Sequence, residues 1–545
     1  MKRRNFIKLS ASASAVAMLP TDVFALFKSS GMVACPDVNA KKIVLIQLSG
    51  ANDGINTIVP LNQYGTYETL RPTIKLKNVG TTNGLIQLDS TLPLARQVGL
   101  HPSLTAFKSL YDAGSMRIIQ GVGYPNQDRS HFKSTDLHLT GGDGTPANNN
   151  LTSGWIGRFL ENYYSNYLTA SFPLGIQLGG AENSLGFHGE VEHDMSVNMT
   201  GQDSAGFYSI LNGLGGAAPT NIPNSDYGQL LQYILNNDTS TNLYANSISS
   251  AYNAGTNTYT YPNNELANQL KSVAKFISGG LKTKVYLVKL GGFDTHDGQV
   301  TDAINTHTGK HADLLKDVSG AVEAFIKDLN NQSLGDDVLA VTFSEFGRKA
   351  AENGAFGTDH GEVAPMFVFG KSLAAGISGN NINLSEAVLA NNFQVRTVQH
   401  DYRRVFSTIL QDWFGASNQT LDLTFYNQTT NSGFTGNKIT PFFKATSIIP
   451  PSCYANAILE TQSFETVTDV VIYPNPTADF ITINAIGNIS TVAIYNIDGR
   501  LVATCRNPQV NNQFTIDLQQ YSAGLYNLTI TTDDGSFNKK IIVRK

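Results

Sequence analysis

The chain has 545 residues, more than one hydrophobic core commonly supports, so two or more domains are expected. A net charge of -5 is small for that length and excludes nucleic-acid binding by bulk charge. Charged residues make up only 15% and glycine numbers 49, which suits a secreted, loop-rich globular protein; Cys35, Cys453 and Cys505 lie far apart and predict no disulfide framework.

The first residues are an address. Lys2-Arg-Arg-Asn-Phe-Ile-Lys8 resembles the twin-arginine export consensus, and Leu9 to Leu19 adds a short, weakly hydrophobic Ala/Ser segment. A basic start on an ordinary signal peptide is the alternative. Spanning a bilayer takes ~20 apolar residues, so residues 1–25 are expected to be a cleaved signal, with no transmembrane helix in the mature chain.

A continuous apolar run, Lys42 to Leu48, reads as a first strand covered on both faces, and it empties into Ser49-Gly-Ala-Asn-Asp53-Gly. Groups just beyond the carboxyl end of a central parallel strand are placed for ligands, so Asp53 is a metal-ligand candidate; a plain Gly/Asn/Asp turn is the competing reading. His101, before a proline, reads as structural. Met116 to Val122 is a second strand, and its exit leads to Ser130-His131-Phe132, where Ser130 falls at a helix N-cap. A hydroxyl there faces the helix's positive end, suiting a phosphate or sulfate, although a capping role alone also accounts for it.

From about 202 to 268 periodicity fades into a polar insertion rich in Asn, Thr, Ser, Gly and Tyr. Lys284 to Leu290 is the next strand, with Asp294 and His296 at its exit; alternate residues of an extended loop point the same way, so the pair can serve one metal. Leu314, Leu315, Val318, Val322, Phe325 and Leu329 recur at helical spacing, with His307 and His311 assigned to the solvated surface before them. A strand from Val338 to Phe343 then delivers Ser344, Glu345 and Arg348, and Asp359-His360 precedes a last apolar run, Met366 to Phe369. Four strand exits thus carry Asp, Glu or His, the donors that divalent metals take.

Seven blocks carry a resemblance. Ser49-Gly-Ala-Asn-Asp-Gly-Ile-Asn-Thr-Ile-Val-Pro60, Leu100-His-Pro-Ser-Leu104, Arg129-Ser-His-Phe132, Gly292-Phe-Asp-Thr-His296, Thr342-Phe-Ser-Glu-Phe-Gly-Arg348, Gly357-Thr-Asp-His-Gly361 and Asp412-Trp-Phe-Gly415 occur in order. Lys42 to Gly415 is thereby similar to the domain of unknown function 1501 family, placed in the alkaline phosphatase-like superfamily with sulfatases. The resemblance implies a doubly wound, mostly parallel α/β sheet over about 40–443. It further implies one or two divalent ions, whether zinc, manganese, calcium or magnesium, held by Asp53, Asp294, His296 and His360. Ser130 would be the nucleophile. The superfamily's usual Asp-His pair matches Glu345-Phe346 here, and Phe346 cannot bind metal, so either Asp359-His360, or His131, replaces the missing imidazole or one metal site is lost; Glu345 is kept as a ligand. Arg348 is expected to neutralise a substrate oxygen. Hydrolysis of a small phosphate or sulfate ester follows by analogy; a degenerate surface protein binding a glycan or partner protein is the alternative.

A Pro- and Thr-bearing linker at 444–468 leads to short alternating strands over 469–545, an Ig-like all-β sandwich. Tyr473-Pro-Asn-Pro476, Asp498-Gly-Arg500, Gly524-Leu-Tyr526 and the closing Lys540-Ile-Ile-Val-Arg-Lys545 resemble the sorting domain of the type IX secretion system. The implied partners are the twin-arginine and type IX export machineries, and the implied destination is the surface or medium of a Bacteroidota-type cell.

Overall fold

A computed structural model describes residues 35–425 and 438–454, apart from 169, 181–183, 192–194 and 200–243, and residues 470–544, apart from 486, 497–499, 510 and 534. The expected signal segment, most of the polar insertion and residues 455–468 of the expected linker lie outside the described residues. The chain divides into two compact units, Met1–Ile458 and Leu459–Lys545.

The first unit is built on one large sheet, with a small antiparallel one pairing Ile58–Pro60, Val98–Leu100 and Ile86–Gln87. In chain order the strands of the large sheet are β1 (Lys42–Leu48), β2 (Met116–Gly123), β3 (Gly175–Gln177), β4 (Ser196–Asn198), β5 (Val285–Leu290), β6 (Val338–Phe343), β7 (Ala364–Phe369) and β8 (Gly376–Ser378). Across the sheet they run β8-β2-β7-β6-β1-β5-β3-β4, with the pair His400–Asp401 also alongside β2. β1 is parallel to both neighbours, Ile43 standing opposite Val285 and Leu339, whereas β7 is antiparallel to β2 and β6.

Side chains on a strand alternate between faces, and β1 feeds two cores. Val44, Ile46 and Leu48 join one that receives Phe107 of α1 (Thr105–Asp112), Leu270 of α4 (Glu265–Ser278) and Phe325 of α5 (Lys310–Asn331). Ile43 and Leu45 join the other, with Leu137 of α2 (His131–Thr140), Phe159 of α3 (Trp155–Tyr163) and Phe406 of α6 (Tyr402–Asp412). Helices on both faces explain why the strand sequences are apolar throughout. The α/β class expected from the sequence, a doubly wound and mostly parallel sheet, is the one observed.

Two expectations are corrected. His311 is not on the surface: it is 1% exposed, and its Nε2 donates to Asn52 Oδ1 at 2.9 Å. It stands four residues before the buried Leu315, on the inward face of α5. Cys35 and Cys453 form a disulfide, contrary to the expectation of none; the fold brings the start of the described chain beside the first part of the expected linker, where Val38, Ile449 and Cys453 are buried and Cys35 packs against them. A sequence separation of 418 residues concealed the pairing.

The second unit contains two antiparallel sheets. One pairs Val470–Tyr473, Phe480–Ala485 and Gln513–Asp517; the other pairs Leu501–Arg506, Ile489–Asn496, Gly524–Thr532 and Gly535–Val543. Ile481, Ile483 and Ile516 of the first share a core with Val492, Ile494, Leu528 and Ile530 of the second, which makes a sandwich.

Candidate metal centre

The exits of β1, β5 and β6 are bound to one another before any ligand is considered. After β1 the chain turns through Gly50 at φ +110°, and a Cβ there would stand 2.4 Å from the backbone nitrogen of Asp294. Only glycine admits that approach. The Gly50 N–H donates to Glu345 Oε1 at 2.8 Å, and Ser344 Oγ donates to the Leu48 carbonyl at 2.6 Å.

Arg348 completes the tie. Its guanidinium is buried and donates to the carbonyls of Gly50, Ala51, Phe293 and Thr358 and, at 2.6 Å, to Asp294 Oδ1. All three of its nitrogens donate within the protein, and its side chain has no exposed surface. The expectation that Arg348 meets a substrate oxygen is corrected: it holds three loops and one carboxylate in place.

On this platform four side chains converge. His131 opens α2, Asp294 and His296 follow β5, and His360 follows β6 on the strand-like segment that bridges Arg348. The Nε2 atoms of His131 and His360 are 3.1 Å apart, and those of His296 and His360 are 2.9 Å apart. Asp294 lies 3.4 Å from His131 Nε2, 3.2 Å from His296 Nε2 and 3.4 Å from His360 Nε2. Ligand atoms of His131, Asp294 and His360 all fall within 4.8 Å of one another. Tetrahedral ligands at zinc distances stand roughly 3.3 Å apart, so the spacing is that of a metal's ligand shell.

What lies behind each ring fixes its tautomer. His131 Nδ1 is 2.7 Å from Glu345 Oε1, His360 Nδ1 is 2.8 Å from the Arg129 carbonyl, and His296 Nδ1 is 3.3 Å from Asp359 Oδ1. These partners only accept, so each Nδ1 carries the proton and each Nε2 presents a lone pair. Three lone pairs and a carboxylate face one another, an arrangement that repels itself unless a cation, or a proton, stands among them.

The charges around the site act on its groups in different directions. Burial pushes Asp294 up, but the hydrogen bond and charge of Arg348 outweigh it and hold the carboxyl below its usual range. Glu345, also opposed by burial, is held down by its hydrogen bond to His131, and the same bond raises His131. Burial lowers His360, which favours the neutral ring that binds metal. Asp294 and His296 remain about half exposed, so the centre is open on one side.

Not every expected ligand arrives. Asp53 is fully buried elsewhere: Arg71 donates to both its oxygens, at 2.5 and 3.0 Å, and Gln299 Nε2 donates at 2.6 Å. Both lone-pair sets are committed, so the reading of Asp53 as a ligand is corrected to a buried ion pair with Arg71. Glu345 and Asp359 stand behind His131 and His296 and orient them instead of facing the centre. Asp359 is in turn held by Lys349 at 3.2 Å. Ser130 caps α2 by position, with its side chain exposed and making no cap bond, one residue before His131. Arg71 and the Arg129 carbonyl were missed; nothing in Arg71-Pro72 marks the arginine as a buried counter-ion, and a backbone acceptor leaves no sequence signal. Phe346 is buried with its ring centroid 4.9 Å from those of both His131 and His360, closing that side with carbon.

The strand exits of this doubly wound sheet thus gather His131, Asp294 and His360 in one cluster, with His296 beside Asp294 and His360. Residues 280–420 match the family described as protein of unknown function (DUF1501), and residues 471–544 match the secretion system C-terminal sorting domain. Two segments thus match the families that the sequence motifs resemble. No curated protein matches it. Solved structures with some likeness include the PsFucS1 sulfatase from Pseudoalteromonas sp., at 10% identity and TM-score 0.33 over 89% of this chain and 83% of that one. Another is a protein in the alkaline phosphatase superfamily from Vibrio parahaemolyticus, at 11% identity and TM-score 0.32 over 86% and 82%. A third is the alkaline phosphatase of the Antarctic bacterium TAB5, at 11% and 0.26 over 61% and 92%. Likeness at these scores carries neither substrate nor mechanism to this chain.

Proposed function

We propose that the first unit is an exported metal-dependent hydrolase of phosphate or sulfate esters, working with a single ion held by His131, Asp294, His296 and His360. The observation that carries this is the convergence of three Nε2 lone pairs, each fixed from behind, on one carboxylate. Three imidazoles and one carboxylate suit zinc or a neighbouring transition metal; calcium and magnesium prefer all-oxygen shells. The apolar wall of Phe346 supports one ion over two. Such an ion, when bound, supplies Lewis acidity toward an anionic ester.

The remaining roles belong to the chain. Ser130 is the nucleophile in this reading; its exposed side chain, with no cap bond, and the helix's positive end beside it support the role. Glu345 and Asp359 hold His131 and His296 in register, and Arg348 keeps Asp294 ionised and aimed. The sorting domain marks an exported chain, and among the described residues no helix is long and apolar enough to cross a membrane. Residues 1–25 direct twin-arginine export in this reading, although they lie outside the described residues.

Metal analysis of the purified full-length protein after exposure to zinc and manganese, followed by turnover of aryl phosphates and sulfates, tests the proposal. About one ion per chain is expected, lost in His360→Ala, with hydrolysis abolished in Ser130→Ala while its ion is retained. A protein that takes up no ion removes the proposal. A metal-loaded protein inert on every ester would favour the second reading, a surface protein that binds a glycan or partner without turnover, for which the loss of a ligand at Phe346 is the supporting observation.

A further inference from the structure

A cavity of about 310 Å³ opens at the edge of the sheet opposite the metal centre, where β1 and β5 begin. The length of β1, roughly 20 Å, separates the two. Lys42, Lys282 and Lys284 line the cavity, with the rings of Tyr167 and Phe172 beside them. Its volume falls in the range of small-molecule sites.

The lysines meet mostly neutral partners. Lys284 is only 3% exposed, and its Nζ donates to the Asn39 carbonyl; Lys42 Nζ donates to the Ala40 carbonyl at 2.9 Å. An ammonium has three N–H donors, so each keeps two for something else. Asp337, which also acts on Lys42, is taken by Lys41 at 2.9 Å. The one carboxylate in the wall, Asp37, is exposed and accepts from the Asn39 N–H at 2.8 Å. Among the described residues none of the three lysines forms an ion pair.

A buried ammonium costs stability unless an anion meets it, and within the chain alone that cost is avoided by keeping Lys284 near neutrality. Burial lowers it to about 7; Lys42 and Lys282 push the same way and Asp37 opposes them. The other titratable group facing it is Tyr164, whose ring centroid is 5.1 Å from Lys284 Nζ. Lys282 Nζ in turn stands 5.8 Å over the Phe172 ring. Amines beside aromatic faces suit a ligand with an oxyanion at one end and a ring at the other. The C–H face of a sugar ring is apolar and packs on an aromatic surface, while Asp37 and Asn39 offer polar groups for its hydroxyls. We propose that this cavity binds an acidic monosaccharide, its carboxylate taken by Lys42, Lys282 and Lys284 and its ring laid against Tyr167 and Phe172.

Isothermal calorimetry on metal-free full-length protein, at constant ionic strength, tests this with glucuronate, glucose and inorganic sulfate. Glucuronate is expected to saturate one site, with glucose and sulfate each at least about tenfold weaker, since one lacks the charge and the other the ring. Lys42→Met should weaken glucuronate at least about tenfold, the effect of losing one charge-assisted contact. Lys282→Ala, at an exposed position that leaves folding untouched, should weaken it about threefold. A carboxylate beside Lys284 raises its pKa again, so binding at pH 9 should take up a proton, read as a heat that changes with the buffer's ionisation enthalpy, and affinity should fall from pH 6.5 to pH 9. Lys284→Met should remove most of that uptake. No saturable glucuronate site, glucose binding as tightly as glucuronate, or unchanged affinity in both Lys42→Met and Lys282→Ala would overturn the site; sulfate binding as tightly as glucuronate would overturn the sugar.

Discussion

At the scale of single residues, the same side-chain type serves opposite purposes at the exits of two neighbouring strands. Asp294 faces three imidazoles, whereas Asp53, also at a strand exit, is locked to Arg71 with no exposed surface. Arg71→Met would leave the Asp53 carboxylate buried and unpaired, costing about 3–5 kcal/mol in urea unfolding. The buried histidines give a pH dependence of definite sign. Burial depresses His138 and His311 from 6.5 to about 4, so the unfolded chain takes up protons first on acidification. Their contribution is complete above pH 6.5 and is lost between 6.5 and 4, on the order of 3 kcal/mol for each ring. Stability measured from pH 8 downward should fall through that window, and His311→Gln should flatten part of the slope. His131, Asp294, His296 and His360 were legible in the sequence because each follows a strand and binds metal by type. Asp53 was misread because a ligand and half of a buried ion pair look alike there, and its partner lies in another loop.

At the scale of elements, the strand exits work as one block because Gly50 lets the loop after β1 touch the loop after β5 and Arg348 stitches both to the segment after β6. Gly50→Ala would place a methyl at φ +110° against the Asp294 backbone. The expected cost is about 1–3 kcal/mol of strain, with a weakened affinity for zinc because Asp294 must shift. Thermal melting and metal competition on the same variant would check both, and an unaltered zinc affinity would separate the loops from the centre. The apolar runs of β1, β2, β5, β6 and β7 announced strands, and the spacing of α5 announced a helix. Sheet order was less accessible: β5 and β6 follow each other in sequence, yet β1 lies between them, and the antiparallel setting of β7 depends on pairings that no local pattern encodes.

At the scale of the whole molecule, the tail's strands and motifs were plain in the sequence, but the bond between Cys35 and Cys453 was not, since cysteines that remote give no spacing signal. Replacing Cys35 by Ser, or adding a reductant, should lower the unfolding midpoint of the first unit by an amount corresponding to about 2–5 kcal/mol while leaving the sorting domain's transition in place. Differential scanning calorimetry with and without reductant reads the two transitions separately. The bridge also bears on what happens after export. It fastens the start of the described chain to residues just ahead of 455–468, so a protease that severs that stretch would shed the tail and leave Cys35 and Cys453 of the remaining unit still joined. Fraying of the first unit at either of those two positions would have to work against the bridge, so its core could outlast the loss of the tail.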